Sequence, residues 1–452
     1  MPNNSPTDCS KANVGVETTL GSAVAMSSPA AHAQAANPSS DPVLLGVMQG
    51  APPPADKRVT KENSFQFPNL RWALRNTRLI APTANIEHSL QPMPLPVGHA
   101  ANLDHASFTI ASESVTIAEY LQRTYTDGFL VVHQGKIVHE RYFDSYAPRQ
   151  PHAWASMTKS ITGLIAALLI EESKLDPQAK LSSYVPELSD TPFGEATIQQ
   201  NLDMEVPVSY PADLPPDLGL FGAVGLAPRR EGAPDTIYDF LKVARQTPNE
   251  SAGNMWYYQN GSTEAVAWAI RRVTGESWSA LVSRYLWQKF AEDDGYVAVD
   301  RLGIEMTSGG MHSTLRDAAR FGELVRAGAS GGSPPFSGAA IRLALKPATN
   351  HAKVAKGNQS VSLSKYSYHD YWYQLNDGDG SIRAGGRFGQ SILINPKAEL
   401  TIVKFSSAPD LRPRAVSAEA GSSVPRPPLE TVDAQSLAAR TIMSALTGTS
   451  SS

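Results

Sequence analysis

The sequence predicts an α/β (α+β) protein in which a central antiparallel sheet, built from both ends of the chain and flanked by helices, encloses an inserted all-helical domain. Two hairpins and the stretch between them carry this expectation. Phe129-Leu-Val-Val132 and Ile137-Val-His-Glu-Arg-Tyr142 are β-type runs joined by His133-Gln-Gly-Lys136, and glycine suits a tight turn. Ser391-Ile-Leu-Ile394 and Leu400-Thr-Ile-Val-Lys-Phe405 repeat the pattern near the C-terminus, joined by Asn395-Pro-Lys-Ala-Glu399. Between the hairpins most signals are helical, and strands at both ends around a helical middle imply one layered sheet.

In chain order, the first 60 residues are rich in Ser, Ala, Asn and Pro, too poor in apolar groups to order themselves, and are expected to be a flexible leader. Ala33-Gln-Ala35 has the small residues of a signal-peptidase site, but no apolar run precedes it. The expected compartment is therefore the cytoplasm, with periplasmic export as the alternative. After the first hairpin, residues 155–174 place Ile161, Leu164, Ile165, Leu168 and Leu169 at the spacing of a helix with one buried stripe. Residues 61–188 and 291–447 are expected to form the discontinuous α/β domain, and 189–290 the insert. The insert is broken by a proline-rich loop, 207–228, and holds a clear helix at 263–274. Further helices are expected at 313–327, capped by Ser313 and ended by Gly328, and at 432–446.

The composition narrows the function. A chain of 452 residues with 41% hydrophobic residues can bury a large core, and a net charge of -4 offers no basic excess for nucleic acid. No stretch reaches the roughly 18 apolar residues of a membrane span. The single cysteine, Cys9, supplies neither a disulfide nor a thiolate site, and the ten histidines contain no zinc-type pair, so no metal or other cofactor is expected. A small neutral substrate fits this composition better.

Three groups of residues carry possible chemistry. Ser156-Met-Thr-Lys159 sets a hydroxyl and an amine one helical turn apart at a helix start, where the amine reaches the hydroxyl. A serine needs a base to become a nucleophile, and a desolvated lysine can be that base. Alone, this motif reads more readily as a surface Ser and Lys opening a helix. Trp256-Tyr-Tyr258-Gln-Asn260 adds a phenol able to relay a proton, with Trp256 as core or pocket wall. Ala384-Gly-Gly-Arg-Phe-Gly-Gln390 runs into a strand, and its glycines allow close approach to an acyl group.

The order Ser-x-x-Lys, Tyr-x-Asn, glycine-rich strand resembles the serine β-lactamase-like superfamily, including class C β-lactamases and D-alanyl-D-alanine peptidases. It is most similar to 6-aminohexanoate-dimer hydrolases and β-lactamase-fold esterases. Arg71-Trp72, Thr124-Tyr-Thr-Asp127, Tyr184-Val-Pro-Glu-Leu188, Leu202-Asp-Met204, Asp235-Thr-Ile-Tyr-Asp-Phe-Leu241, Arg272-Val-Thr-Gly275 and Arg387-Phe-Gly-Gln390 extend the resemblance. It implies that Ser156 is acylated, Lys159 takes its proton, Tyr258 assists the leaving group and Asn260 orients the network. The backbone N–H groups of Ser156 and Arg387 would form the oxyanion hole, Gly385 and Gly386 would lie against the substrate, and a homodimer is possible. The triplet is Ala384-Gly-Gly386 and not the superfamily's Lys-Thr-Gly, which removes the cation expected to hold a β-lactam carboxylate. Tyr210 is the candidate for an extra tyrosine that helps amide cleavage; if it is not in that place, Leu214 is. A cell-wall peptidase or β-lactamase and a non-catalytic binder are the alternatives.

Three features are decoys. Gly328-Ala-Ser330-Gly-Gly332 matches a nucleophile pattern but follows a helix where a strand is needed. Asn376-Asp-Gly-Asp-Gly380 lacks the regular oxygen spacing of a calcium loop and reads as a hairpin turn. His312 lines the pocket or is a satisfied structural histidine.

Overall fold

Gln134 and Gly135, both at positive φ, turn strand Thr126–His133 back onto Lys136–Tyr142, as the mirror-image turns of tight hairpins require. The computed structural model describes residues 40–357, 365–409, 429 and 431–448. Cys9 and the 33–35 stretch lie outside them. Thr126–His133 also pairs with Leu400–Ser406, Leu130 opposite Val403, which joins the N-terminal hairpin to the C-terminal one. From there the sheet continues through Gln390–Asn395, Ile382–Gly386, Trp372–Gln374 and Ser367–His369. All seven strands are antiparallel, and the two ends of the chain build one sheet as expected.

Both faces of the central strands are covered, which is why residues 126–132 and 400–406 are buried without alternation. Helix Leu315–Ala329 lies on the sheet so closely that a Cβ on Gly322 would stand 2.6 Å from Thr401. Its cap is Thr314, which accepts from Asp317 N–H, and not the expected Ser313. A second, four-stranded sheet (Thr83–Ile86, Gly295–Ala298, Met311–Ser313, His152–Ala153) ends three residues before Ser156.

Two expectations about organisation need correction. The leader does not reach residue 60: Val47 and Val59 are buried with Trp72 and Ala73, Arg71 donates to Ser40 at 2.9 Å, and Ser145 donates to Asp41 at 2.6 Å. A few apolar and polar anchors hold a segment whose average composition reads as disordered. Residues 189–290 are mostly helical, with Pro216–Val224, Gly261–Thr274 and Trp278–Tyr285 among the helices, but not purely so. Val208–Ser209 pairs with Arg245–Gln246, and the segment's apolar side chains run into the same core as the large sheet's. Among the described residues no helix is long and apolar enough to cross a membrane.

A buried ionic cluster ties the N-terminal helix Asn69–Ala73 to the sheet. Asp127 forms an ion pair with Arg71 at 3.0 Å, lies 3.0 Å from His152 Nε2, and also binds Arg75 and Ser407. Burial opposes the charge on Asp127, but the two guanidinium groups outweigh it and hold its pKa far below the usual carboxylate range. Asp127→Asn should therefore cost about 3–5 kcal/mol, because it strands buried positive charge. A urea titration should show a lower midpoint with an unchanged slope.

Candidate active site

A cavity of about 600 Å³ opens between the strand edge Ile382–Gly386, the start of the serine-bearing helix and the 216–226 and 256–260 segments. Ser156 lies on a 3-10 turn, Ala155–Met157, that leads directly into helix Thr158–Glu171. Ala155 is held at φ 46°, a left-handed conformation that costs a non-glycine residue on the order of 1 kcal/mol and turns the chain sharply out of the short strand. The helix is pinned from behind. A Cβ on Gly163 would stand 2.1 Å from the carbonyl oxygen of Asp370, and Ser160 donates to Tyr371 O at 2.8 Å.

Lys159 is only 1% exposed, and its Nζ donates to three oxygens: Ser156 Oγ at 3.0 Å, Asn260 Oδ1 at 2.7 Å and Ser308 O at 2.7 Å. No carboxylate among the described residues is within ion-pair distance of it. Burial accordingly lowers its pKa to about 7, while the charges of Glu264 and Asp217 act in the opposite direction. Each of those carboxylates works through an intermediate group. Glu264, fully buried in helix Gly261–Thr274, accepts from the N–H groups of Thr307 and Ser308 and so fixes the Ser308 carbonyl. Asp217 accepts from Asn260 Nδ2 at 3.0 Å, which fixes the amide with its oxygen toward the lysine.

The Tyr258 ring lies under Lys159, with Nζ 5.1 Å from its centroid, and its hydroxyl interacts with Ser156. The residue is 38% exposed to the cleft, yet lost hydration is the largest effect on the phenol and raises its pKa to about 12, with Ser156 pulling it partly back. At neutral pH the phenol therefore keeps its proton, while burial brings the lysine's titration down into the neutral range. Gly386 brings the strand edge against the serine turn: a Cβ there would lie 2.5 Å from Trp154 O and 3.2 Å from Ala155 Cβ. Gly385, Gly386 and Arg387 line the cavity, as does Trp256, whose ring packs 5.4 Å from that of Tyr258.

The remaining expectations divide. Tyr210 stacks on Phe240 at 4.9 Å, its hydroxyl lies behind Gly261, and it is not part of the cavity wall; nor is Leu214, which packs on Gly219. A proline-rich loop has no period from which to read side-chain direction, and it presents Asp217 and Phe221 instead. His312 touches the cavity, but Thr77 Oγ1 at 2.8 Å and Gly310 O at 3.0 Å engage its ring nitrogens, and burial lowers its pKa to about 3. It is a neutral structural histidine. Asn376–Gly380 turns between two sheet strands, and Ser330 ends a helix. Asp203, His369 and Asp370 have a donor set that a metal ion uses. Burial opposes a charge on His369, but its 2.9 Å bond to Asp203 and the two carboxylates raise its pKa to about 9, so a protonated imidazole bridges them. Asp217, Glu264 and Ser308 escaped the sequence reading; only Glu264, six residues after Tyr258 on an apolar helix face, left a signal.

Residues 116–422 match the family model described as Beta-lactamase. The chain belongs to the beta-lactamase family. A 6-aminohexanoate-dimer hydrolase from Paenarthrobacter ureafaciens is 29% identical over 357 residues, covering 78% of this chain and 88% of that protein. The solved structure of a Bacillus anthracis protein, provisionally described as a 6-aminohexanoate-dimer hydrolase, superposes with a TM-score of 0.76 at 31% identity. The match covers 87% of this chain and 99% of that one. The protein is a hydrolase of the β-lactamase fold.

The electrostatics of this beta-lactamase-family site make a signed prediction. Glu264→Gln removes a negative charge that favours the lysine ammonium, so Lys159 should deprotonate at lower pH. The pH dependence of Ser156 labelling by a fluorophosphonate should shift to lower pH; a shift the other way would contradict the arrangement.

Proposed function

We propose that this protein is a serine hydrolase that cleaves a carboxylic ester or a small linear amide through an acyl-Ser156 intermediate. The supporting observation is the set of three acceptors around Lys159 Nζ. A neutral amine has two N–H bonds and one lone pair. The Ser308 carbonyl and the Asn260 amide oxygen can only accept, so they take the two N–H bonds. Ser156 Oγ is the remaining partner and has a proton to give, so the lone pair faces it.

In the first step Lys159 takes the Ser156 proton as Oγ bonds to the substrate carbonyl carbon. The carbonyl π electrons move to oxygen, where the N–H groups of Ser156 and Arg387 stabilise the negative charge. The oxyanion collapses, the bond to the alcohol or amine breaks, and the leaving group takes a proton from Tyr258, which is replenished from Lys159. Water then attacks the ester carbon, returns a proton through the same groups and releases the acid and the free serine. Esters should be better substrates than amides, because Tyr210, the phenol considered for amide cleavage, is not among the residues that line the cavity.

Ser156→Ala should abolish hydrolysis of a p-nitrophenyl ester, and Lys159→Ala should reduce kcat about 10³-fold or more. Wild-type kcat/KM should rise with pH around pH 7, because the base works only when deprotonated, and should stay flat toward pH 10, where Tyr258 remains protonated. Turnover by Ser156→Ala equal to wild type would refute the mechanism. Tyr258→Phe should damage amide hydrolysis at least about tenfold more than p-nitrophenyl ester hydrolysis, since p-nitrophenolate departs without a proton. Equal losses on both substrates would remove Tyr258 from leaving-group protonation.

A further inference from the structure

Asp203 follows the last turn of helix Ile198–Leu202, and His369, 166 residues later, ends strand Ser367–His369 with Asp370 directly after it. The fold brings one donor atom from each of the three to within 4.8 Å of the other two. The set is mixed, one imidazole nitrogen and two carboxylate oxygens, with His369 Nδ1 and Asp203 Oδ1 2.9 Å apart. All-oxygen sites suit magnesium and calcium, whereas a nitrogen among the donors suits zinc and the first-row transition metals. The sequence expectation of no metal rested on the lack of a short-range histidine pair, and donors this far apart in the chain leave no such signature.

Charge points the same way. The Asp370 side chain is 2% exposed and that of Asp203 15%, and among the described residues no lysine or arginine lies within ion-pair distance of either. A buried carboxylate is normally compensated by positive charge. Protonated His369 supplies one positive charge for two negative ones. A divalent ion on the neutral imidazole supplies two, which makes the group neutral and sends one proton to solvent for each ion bound.

The donors are also held from outside the group. Gln199 Nε2 donates to Asp370 Oδ1 at 2.9 Å, and the His369 ring interacts with the Leu343 carbonyl of helix Gly338–Ala344. A carbonyl beside the ring is a common outer partner of a ligating histidine, because it fixes the tautomer and turns the other nitrogen to the metal. The partial exposure of Asp203 and His369 gives an ion a way in and lets water complete its coordination.

We propose that Asp203, His369 and Asp370 form a structural site for a divalent ion of the zinc class. None of the three lines the Ser156 cavity, and the site is independent of the reaction assigned there. The ion joins the helix end at Asp203 to the 369–371 turn. In that turn the Asp370 carbonyl seats Gly163, and the Tyr371 carbonyl accepts from Ser160, both on the serine-bearing helix. Asp370 and Tyr371 hold φ 45° and 66°, a left-handed pair that the chelate keeps in place.

The test uses the full chain without a tag, stripped with EDTA, exchanged into metal-free buffer and titrated calorimetrically with ZnCl2 or MgCl2. Wild type should bind one Zn2+ per chain with a Kd of about 1 µM or tighter, at least about 100-fold more tightly than Mg2+. Zinc at about 100 times Kd should raise Tm by about 3 °C. Asp203→Asn and His369→Gln should each weaken Zn2+ binding at least about 100-fold and lose the rise in Tm. The metal-free Tm of each variant separates a folding defect from lost binding, and the wild-type titration needs no variant at all. Wild type that takes up no Zn2+ overturns the assignment. Uptake that both variants keep at full affinity does the same, because it places the ion on other histidines, and Mg2+ bound as tightly as Zn2+ overturns the zinc class.

Discussion

An amine buried without a touching counter-ion is the constraint on which the site depends. Lys159 meets three uncharged oxygens, and the two carboxylates that influence it act through Asn260 and Ser308. A carboxylate in direct contact would favour the protonated lysine; the two acids instead hold the amide and the carbonyl that face it. The arrangement places the pKa near 7, between an exposed lysine and a fully isolated buried one.

The walls of this site are set by close backbone packing. The structure supplies them by backbone contact at glycine. Gly163 seats the serine-bearing helix on the Asp370 carbonyl, and Gly386 seats the strand edge on Trp154. Side chains at these positions would push these elements apart. Ala155 and Phe388 hold left-handed conformations on either side of the same contact, the pattern of strain retained where function uses the geometry.

The same cavity contains a cation of a different kind. Lys159 is set to lose its proton, whereas the intrinsic pKa of Arg383 is too high for burial to discharge it. The distinction follows from side-chain chemistry in a shared, buried space.

The hairpins, the serine-bearing helix and the Ser156–Lys159 pair were legible in the sequence because periodicity and local spacing fix them: three residues on a helix place two side chains on one face wherever the helix lies. The ordered segment from residue 40 was not, since its few anchors, Asp41, Val47 and Val59, are diluted by polar neighbours and matter only against Trp72 and Ser145. Tyr210 against Asp217 could not be decided either, because a loop with several prolines carries no period and its direction is set by what it packs on. The sequence by itself therefore determined the antiparallel sheet, the helices and the candidate nucleophile with its amine, all consequences of short-range geometry. Only the tertiary structure decided the lysine's acceptors, the strap of Glu264 and Asp217 behind them, and the meeting of Asp203 with His369 and Asp370. Each depends on segments tens to hundreds of residues apart being buried together, and burial is what turns a surface charge into a base or a ligand site.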